Sequence, residues 1–242
     1  MRFESIIQHA PLALAGALMV LCSCGKAPQP DTPAETAAAP APTPAPTPSA
    51  SPDPRPVIVA FGDSLTAGFG ADPGQSYPDF LQRDLDRAGY RYRVVNQGVS
   101  GDTTSGGLTR VEQAVAIKPA IVIVELGGND GLRGIPVQNI RENLAAILSQ
   151  LKPSGARIML ADMTLPPNYG EEYVRSFQQV YADLARQDRV PSFVFPFRDL
   201  YVKRLLQPDG IHATAAGNAL VADTVMRALR PLLVRENPQR RG

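Results

Sequence analysis

The sequence predicts a three-layer α/β/α protein, with a doubly wound parallel sheet of five strands between two layers of helices. Three observations support this fold class. Five short runs rich in β-branched and aromatic residues recur along the chain, each followed by a turn and a segment of helical period. Strands that alternate with helices favour parallel pairing through right-handed crossovers. The run at residues 121–124 is Ile-Val-Ile-Val, and a strand apolar on both faces needs helices on both faces.

The predicted strands occupy residues 57–61, 92–95, 121–126, 158–161 and 193–197. Pro196 lies inside the fifth run, and proline has no N–H to donate to a neighbouring strand. We therefore expect the fifth strand to be short or to lie at an edge of the sheet. In a doubly wound sheet, ligands bind beyond the carboxyl ends of the strands, so the segments after each strand should carry the chemistry.

Five segments show the apolar spacing of amphipathic helices. The first opens at Ser76, where Asp79 three residues later forms a variant of the capping box, and Gly89 ends it. Each of the other four follows from an apolar stripe along one helix face. The stripes are Leu108, Val111 and Val115; Ile140, Leu144, Ile147, Leu148 and Leu151; Tyr173, Phe177, Val180, Tyr181 and Leu184; and Val221, Val225, Ala228 and Leu229.

The start of the chain is typical of an export signal. Arg2 precedes an uncharged, mostly apolar run at residues 10–22, which suits a signal-peptide core and is too short for a membrane span. The run ends in Leu-Cys-Ser-Cys, which resembles the bacterial lipobox, and Cys24 fits the lipidated position better than Cys22. We therefore expect residues 1–24 to be a lipoprotein-type signal segment. The alternative is an ordinary signal that is cleaved nearby.

Residues 25–56 are expected to be a linker. Pro, Ala, Thr and Ser fill 25 of the 30 positions from 27 to 56, and such a composition cannot bury enough apolar surface to fold. Repeated Ala-Pro and Thr-Pro units favour extended conformations that would hold a domain away from a bilayer. The residue after Cys24 is Gly25 rather than Asp, and in this respect the segment resembles lipoproteins that are passed on to the outer membrane. We expect the domain to be anchored there facing the periplasm, or otherwise to be periplasmic or secreted.

Residues 57–242 are long enough for one folded domain and too short for two. The 24 Lys and Arg residues nearly balance the 23 Asp and Glu residues, which argues against a nucleic-acid-binding protein. Both cysteines, Cys22 and Cys24, precede the domain. Neither a disulfide nor a thiolate nucleophile is therefore available to the domain.

Polar residues follow three of the predicted strands. Ser64 follows the first strand in Gly-Asp-Ser-Leu, Gly101 lies in the loop after the second, and Asn129 follows the third in Gly-Gly-Asn-Asp-Gly. Taken alone, each has a structural alternative: a serine that caps a helix, a common loop and a turn. The carboxyl ends of parallel strands share one edge of the sheet, so the three segments should converge.

Asp209 and His212 lie three residues apart, just before a helix expected to open near Thr214. This spacing lets the carboxylate reach Nδ1 of the imidazole and leaves Nε2 free. His9 belongs to the signal segment, so any histidine-dependent reaction must use His212. One histidine and no cysteine in the domain argue against a zinc site, and we expect neither a metal nor another cofactor.

Together and in this order, the four blocks resemble the SGNH (GDSL) hydrolases, whose signature is a nucleophilic Ser, then Gly, then Asn, then Asp-x-x-His. The resemblance spans the domain and implies the flavodoxin-like fold of that family. It implies Ser64 as nucleophile, His212 as base and then acid, and Asp209 as the residue that orients His212. It also implies an oxyanion hole formed by the backbone N–H groups of Ser64 and Gly101 and the side-chain amide of Asn129.

Three longer segments are similar to one branch of this family, the bacterial multifunctional acyl-CoA thioesterase I, lysophospholipase and arylesterase enzymes. They are residues 61–68, 124–134 and 165–170. Ala213 stands where many relatives carry proline, a departure that concerns loop stiffness and not chemistry. No Gly-x-Ser-x-Gly elbow surrounds Ser64, which argues against the α/β-hydrolase fold.

The resemblance also implies which residues bind the substrate. Leu132 and Ile135 lie in a segment, residues 131–137, that corresponds to a mobile loop over the acyl chain. Pro166 and Tyr169 are expected to form another wall. Both walls are apolar, so we expect hydrolysis of carboxylic esters with short to medium acyl chains, and also of thioesters or lysophospholipids.

Two alternatives to this function stay open at the level of sequence. The first is a carbohydrate or peptidoglycan O-acetylesterase, which would use the same residues. The second is a non-catalytic binding lipoprotein. In the favoured interpretation the protein acts as a monomer, its partners are a small ester or lysophospholipid and the membrane that holds its lipid anchor, and it binds no nucleic acid.

Overall fold

The computed structural model describes residues 53–234. The predicted signal segment, Cys24 and the linker as far as residue 52 lie outside the described residues. Between residues 53 and 234, no helix combines the length and the apolar character needed to cross a membrane.

Five parallel strands form the sheet of the described region. They are β1 (Val57–Gly62), β2 (Arg93–Gly98), β3 (Ile121–Glu125), β4 (Arg157–Asp162) and β5 (Ser192–Val194). Their order across the sheet is β2-β1-β3-β4-β5, and every neighbouring pair is parallel. The chain adds β2 on one side of β1 and the later strands on the other, so the winding reverses between β1 and β3. The predicted doubly wound parallel sheet is confirmed.

Helices cover both faces of this sheet. They are α1 (Ser64–Ala67), α2 (Tyr77–Arg87), α3 (Thr104–Ala116), α4 (Gly128–Leu132), α5 (Val137–Leu151), α6 (Glu171–Asp188), α7 (Phe197–Val202) and α8 (Ala215–Leu229). Short 3-10 turns occupy Lys152–Ser154, Pro167–Tyr169 and Arg230–Leu232. Helix α2 packs against α8, whereas α5 packs against both α3 and α6. These two groups form the outer layers of the three-layer structure.

The core lies where the apolar patterns predict it. Every residue of β1 and of β3 is buried, as expected for strands covered on both faces. The predicted stripe of α5 is inaccessible to solvent at all its positions, which are Ile140, Leu144, Ile147, Leu148 and Leu151. Burying one such side chain stabilises a fold by about 1.5–3 kcal/mol, so tertiary packing holds this helix in place.

The predicted capping box of α2 is confirmed. The N–H of Ser76 donates to Oδ2 of Asp79 at 3.0 Å, and the N–H of Asp79 donates to Oγ of Ser76 at 3.4 Å. The predicted start of the last helix is also correct, because Thr214 caps α8 and accepts a hydrogen bond from the N–H of Gly217. Both caps satisfy N–H groups that a helix cannot satisfy internally.

The prediction of the fifth strand at residues 193–197 was wrong at its carboxyl end. Strand β5 ends at Val194, and Pro196 caps α7, which begins at Phe197. The N–H of Phe195 still donates to the carbonyl of Asp162 at 3.0 Å, but Pro196 has no N–H with which to continue the pairing. The strand is short and lies at the edge of the sheet, as the proline indicated.

The second strand and three helices differ from the sequence predictions. Strand β2 extends beyond the predicted end at residue 95, so residues 96–98, expected as loop, pair with residues 60–62. Helices α1, α4 and α7 were not predicted, since they contain only four, five and six residues and show no full apolar period. Two of them, α1 and α4, carry Ser64 and Asn129.

Candidate active site

The Gly-Asp-Ser-Leu segment turns sharply from β1 into α1. Asp63 caps the helix, and its Oδ1 accepts a hydrogen bond from the N–H of Leu65 at 3.0 Å. A Cβ atom at Gly62 would lie 2.1 Å from Oγ1 of Thr66, so glycine permits this close approach. Ser64, the first residue of α1, is 8% exposed and lines a cavity at the carboxyl edge of the sheet.

Ser64, His212 and Asp209 form one chain of hydrogen bonds. Nδ1 of His212 lies 2.7 Å from Oδ2 of Asp209, and Nε2 lies 2.9 Å from Oγ of Ser64. With the Nδ1 proton donated to the carboxylate, Nε2 is left as an acceptor for the serine hydroxyl proton. Such an arrangement can activate the serine oxygen as a nucleophile.

The Asp209 carboxylate is fixed by its own turn. Its Oδ1 accepts hydrogen bonds from the N–H groups of Ile211 at 2.9 Å and His212 at 3.0 Å. Gly210 between them has φ +72°, a left-handed conformation that glycine adopts without steric penalty. Partial burial raises the pKa of Asp209, but the hydrogen bonds from His212 and Ile211 outweigh it and hold that pKa below the ordinary value. The carboxylate therefore stays ionised beside the imidazole.

An aromatic side chain also packs against the imidazole ring of His212. The ring of Phe69 lies against that of His212, with 4.5 Å between the ring centroids and 38° between the ring planes. Phe69 was not predicted as a site residue, because its position in the loop after α1 gives no sign that it meets a residue near the C-terminus. Packing and hydrogen bonding together limit the orientations that His212 can adopt.

The three residues expected to form the oxyanion hole are Ser64, Gly101 and Asn129. The N–H of Ser64 opens α1 and so has no acceptor within the helix. Gly101, with φ +82°, and Asn129, at the start of α4, line the same cavity. The three predicted segments therefore converge at the carboxyl edge of β1, β2 and β3.

The Asn129 amide is fixed by two acceptors. Its Nδ2 donates to Oδ2 of Asp63 at 3.0 Å and to the carbonyl of Asp102 at 2.8 Å. Both amide hydrogens therefore have acceptors in the protein, and a third acceptor in the cavity must share one of them. The same contacts link the serine turn, the Gly101 loop and α4 to one another.

Arg110, on α3, joins the ends of β1 and β2 to the Gly101 loop. Its Nε donates to Oδ2 of Asp102 at 2.6 Å, and its two terminal nitrogens donate to the carbonyls of Gln97 at 2.9 Å and Gly62 at 2.8 Å. The guanidinium also lies 4.2 Å above the ring of Phe61. The planar guanidinium suits several fixed acceptors at once. Arg110 lies in none of the sequence motifs that predicted the site.

A buried polar cluster lies beneath α1. Oγ1 of Thr66 donates to Oε2 of Glu125 at 2.8 Å and lies 3.3 Å from the hydroxyl of Tyr77. Complete burial, together with the nearby Asp63, raises the pKa of Glu125 well above its ordinary value. Burial likewise raises the pKa of Asp63, to about 6. Asp63 and Glu125 are thus two neighbouring acidic groups with raised pKa values next to the turn that carries Ser64.

The cavity above Ser64 has a volume of about 850 Å³ and a mostly apolar lining. Such a size falls within the range of small-molecule sites, about 300–1,000 Å³. Of the four residues expected to bind substrate, Leu132 and Pro166 line it. Ile135 lines a separate polar cavity of about 450 Å³. Tyr169 does not line the cavity, but its hydroxyl donates to the carbonyl of Leu132, a lining residue, at 3.1 Å.

Much of the cavity wall comes from residues that were not predicted to bind substrate. These lining residues are Phe69, Leu165, Phe197, Arg198, Tyr201, Leu206 and Ile211. Several belong to α7, whose six residues are too few to show a pattern. Within residues 53–234, no group of three or more His, Cys, Asp or Glu side chains is arranged to hold a metal ion.

Comparison with known proteins places this site in a family. The profile of the GDSL-like lipase/acylhydrolase family matches residues 60–220, which is most of the chain and includes every residue of the site. The chain is a GDSL hydrolase. The family expected from the sequence blocks is therefore confirmed.

This GDSL hydrolase is similar to two bacterial enzymes along most of their length. It is 40% identical to the esterase TesA of Pseudomonas aeruginosa, over 73% of this chain and 89% of TesA. It is 36% identical to the thioesterase 1/protease 1/lysophospholipase L1 of Escherichia coli, over 73% of this chain and 84% of that protein. These similarities confirm the predicted branch of the family.

A solved structure shows the same fold. The structure is that of the psychrotrophic esterase EstA from Pseudoalteromonas, inhibited by monoethylphosphonate. It superposes on this GDSL hydrolase with a TM-score of 0.69. The two are 28% identical, and the match covers 72% of this chain and 97% of EstA.

Proposed function

We propose that this protein is a serine esterase that cleaves carboxylic esters through an acyl-enzyme on Ser64. The observation that carries the proposal is the hydrogen-bonded chain from Ser64 through His212 to Asp209, which opens into an apolar cavity. A serine hydroxyl is a weak nucleophile until a neighbouring base takes its proton, and Nε2 of His212 is placed for that transfer. The esterase and thioesterase activities named for the two relatives support the same reaction class.

In the first step, Oγ of Ser64 attacks the ester carbonyl carbon while its proton moves to Nε2 of His212. The carbonyl π electrons move to the oxygen, and a tetrahedral oxyanion forms. Asp209 stabilises the imidazolium that results, because its ionised carboxylate accepts the Nδ1 proton in a hydrogen bond. When the tetrahedral species collapses, the bond to the alcohol oxygen breaks and His212 donates its proton to that leaving group.

The oxyanion would be stabilised by the N–H groups of Ser64 and Gly101 and by the Asn129 amide. Donors that are fixed before the reaction stabilise a developing charge without reorganising. The Asn129 amide is held by Asp63 and Asp102, and it would share one of its hydrogens with the oxyanion. In the second step, water gives a proton to Nε2 of His212 and attacks the acyl carbon, which forms a second tetrahedral oxyanion. When this species collapses, the bond to Oγ of Ser64 breaks, His212 returns the proton to Oγ, and the carboxylic acid leaves.

The cavity favours an apolar acyl group longer than acetyl. Leu132, Leu165 and Pro166 contribute to a lining that could remove an aliphatic chain from water, at about 0.8 kcal/mol for each buried methylene. We therefore propose esters with short to medium acyl chains as substrates, together with thioesters and lysophospholipids, the latter two activities being named for the Escherichia coli relative.

We further propose that the catalytic domain comprises residues 57–242 and is exported. The apolar run of residues 10–22 and the lipobox-like Cys24 support export with lipid anchoring at the outer membrane, and residues 25–56 would form the tether. An exported enzyme would meet esters and lysophospholipids rather than cytosolic acyl-CoA.

A chain-length series of p-nitrophenyl esters tests the function. We expect the highest kcat/KM with butyryl to octanoyl esters, and a loss of roughly 10³-fold or more in Ser64→Ala. Activity on the acetyl ester alone would instead support an O-acetylesterase. No turnover at any chain length would indicate a binding protein and contradict the proposal.

A further inference from the structure

One cation at the mouth of the cavity has no partner in the part of the chain that the structure describes. Arg198 lines the cavity from α7, and its side chain is exposed to solvent. Within residues 53–234, it makes no hydrogen bond, ion pair or ring contact. Tyr201, three residues further along the same helix, also lines the cavity and is 78% exposed. Residues that line a cavity and are exposed mark its opening, so Arg198 lies where a bound ester would meet water.

The other charged groups of the site are already engaged. The Asp63 carboxylate accepts hydrogen bonds from Leu65 and Asn129, and the Asp209 carboxylate accepts them from His212 and Ile211. Arg133, also close to the site, donates to the carbonyl of Gly101 at 3.0 Å.

Among the lining residues of the described chain, Arg198 is the one permanent cation. Its guanidinium presents a planar set of donors that matches a carboxylate or a phosphate in two-point contact. A mostly apolar cavity with a few polar groups fixes the orientation of its ligand through those groups. An ester whose apolar acyl chain enters the cavity would therefore be oriented if it also carried an anionic group near the opening.

We propose that Arg198 is a specificity residue that binds an anionic group, phosphate or carboxylate, carried by the ester substrate. The inference rests on the proposed esterase function and names the class of ester that the site prefers. The anion can lie on the alcohol side of the scissile bond, as a phosphate does in a lysophospholipid, or at the far end of the acyl chain, as in a half-ester of a dicarboxylic acid. Both share the chemistry that Arg198 recognises.

Two substrate pairs test the proposal. Hexanoylglycerol phosphate and monohexanoylglycerol differ only by a phosphate on the alcohol side. The mono-p-nitrophenyl ester of glutaric acid and p-nitrophenyl pentanoate differ by a carboxylate on the acyl side. For each pair, the measured quantity is the ratio of kcat/KM for the anionic ester to that for the neutral ester. The pair with the raised ratio identifies the side of the ester that reaches Arg198.

Wild type is compared with Arg198→Gln and with Lys203→Gln. Lys203 is an exposed cation just after α7 that does not line the cavity, so its loss changes the net charge equally without removing the proposed contact. For at least one pair, we expect a ratio of about ten in wild type and in Lys203→Gln. The difference should come from a lower KM for the anionic ester. In Arg198→Gln the ratio should fall close to one. The wild-type ratio should also decrease with increasing salt concentration, because salt screens the attraction between the Arg198 guanidinium and the anionic group of the ester.

A wild-type ratio near one for both pairs would overturn the inference, as would a ratio that survives in Arg198→Gln. A ratio lost equally in Lys203→Gln would assign the preference to general surface charge and would also overturn it. Failure of wild type to hydrolyse the neutral esters would refute the proposed esterase function itself, so the two failures are distinguishable. Thermal unfolding of each variant checks that the exposed substitutions leave the fold intact.

Discussion

The amide nitrogen of Asn129 lies 3.0 Å from Oδ2 of Asp63, the residue that directly precedes Ser64 in the chain. One carboxylate thus caps the helix that begins at Ser64 and fixes the side chain that would stabilise the oxyanion. The geometry of the turn that carries Ser64 and that of the Asn129 amide are therefore coupled through Asp63.

Asn129→Ala should lower kcat by about 10²–10³-fold with little change in KM. The amide strengthens its hydrogen bond only when charge develops on the carbonyl oxygen, so its removal affects the transition state and not substrate binding. Steady-state kinetics on a p-nitrophenyl ester provide the measurement. A change confined to KM would make Asn129 a substrate-positioning residue.

Asp63 should make stability depend on pH. Burial raises its pKa from 3.8 to about 6, so the folded protein keeps this proton at pH values where the unfolded chain has lost it. The stabilising contribution of the group is complete below its unfolded pKa and is lost as pH rises through about 6. The unfolding free energy of Asp63→Asn, relative to wild type, should therefore increase by roughly 2 kcal/mol between pH 4 and pH 7.

Urea unfolding of both proteins across this pH range measures the effect. Asp223→Asn is a matched control, because that carboxyl is exposed on α8 and pairs only with Arg227 at the surface. The unfolding free energy of Asp223→Asn, relative to wild type, should not show the increase expected for Asp63→Asn. A difference between Asp63→Asn and wild type that stays constant with pH would show that Asp63 is ionised throughout, contrary to the assignment.

Arg110→Gln should lower kcat about tenfold to a hundredfold, although Arg110 does not line the cavity. The substitution releases Asp102, whose carbonyl holds the Asn129 amide, and frees the loop that carries Gly101. Small displacements of oriented groups can reduce rates by about 10²-fold. Arg110→Lys, which keeps one donor to Asp102 but not all three contacts, should recover part of the loss.

Arg141→Gln provides the control for Arg110. Arg141 pairs with Asp183 between α5 and α6; both side chains are partly buried, and neither lines the cavity. If both variants lost the same stability while only Arg110→Gln lost kcat, Arg110 would be a positioning residue. Equal kcat in wild type and Arg110→Gln would contradict that role.

The sequence predicted the sheet and its helices well where a long apolar period exists. The stripe from Ile140 to Leu151 is buried at each position, and Ser76 and Thr214 cap the helices as expected. The site residues could be proposed because short motifs follow buried strands, although Ser64 and His212 are separated by 148 positions. The resemblance to a family supplied their roles.

What the sequence could not predict depends on contacts between distant segments. Arg110 binds the backbone carbonyls of Gly62 and Gln97. Every residue has a backbone carbonyl, so residue identity does not predict such a contact. Helix α7 is too short to show a period, so the cavity wall that contains Arg198 was missed. Glu125 lies inside the predicted strand at residues 121–126, and only the fold shows it buried beside Thr66.

Lipidation of Cys24 has its own test. If Cys24 is acylated, intact-mass analysis of the mature protein should give a chain that begins at this residue and carries lipid, and the protein should partition with membranes. Cys24→Ala should yield soluble or unprocessed protein that keeps its esterase activity, because the proposed tether of residues 25–56 would separate the anchor from the catalytic domain. An unmodified mature chain that begins after Cys24 would mean an ordinary signal peptide.

The central claim is that Ser64 is the nucleophile, and a phosphonate ester tests it most directly. Treatment with a p-nitrophenyl ethylphosphonate should release one equivalent of p-nitrophenol, abolish activity in parallel, and leave one phosphonyl group on the peptide that contains Ser64. Ser64→Ala should show neither the release nor the adduct. An adduct on another residue, or equal labelling of Ser64→Ala, would contradict the account.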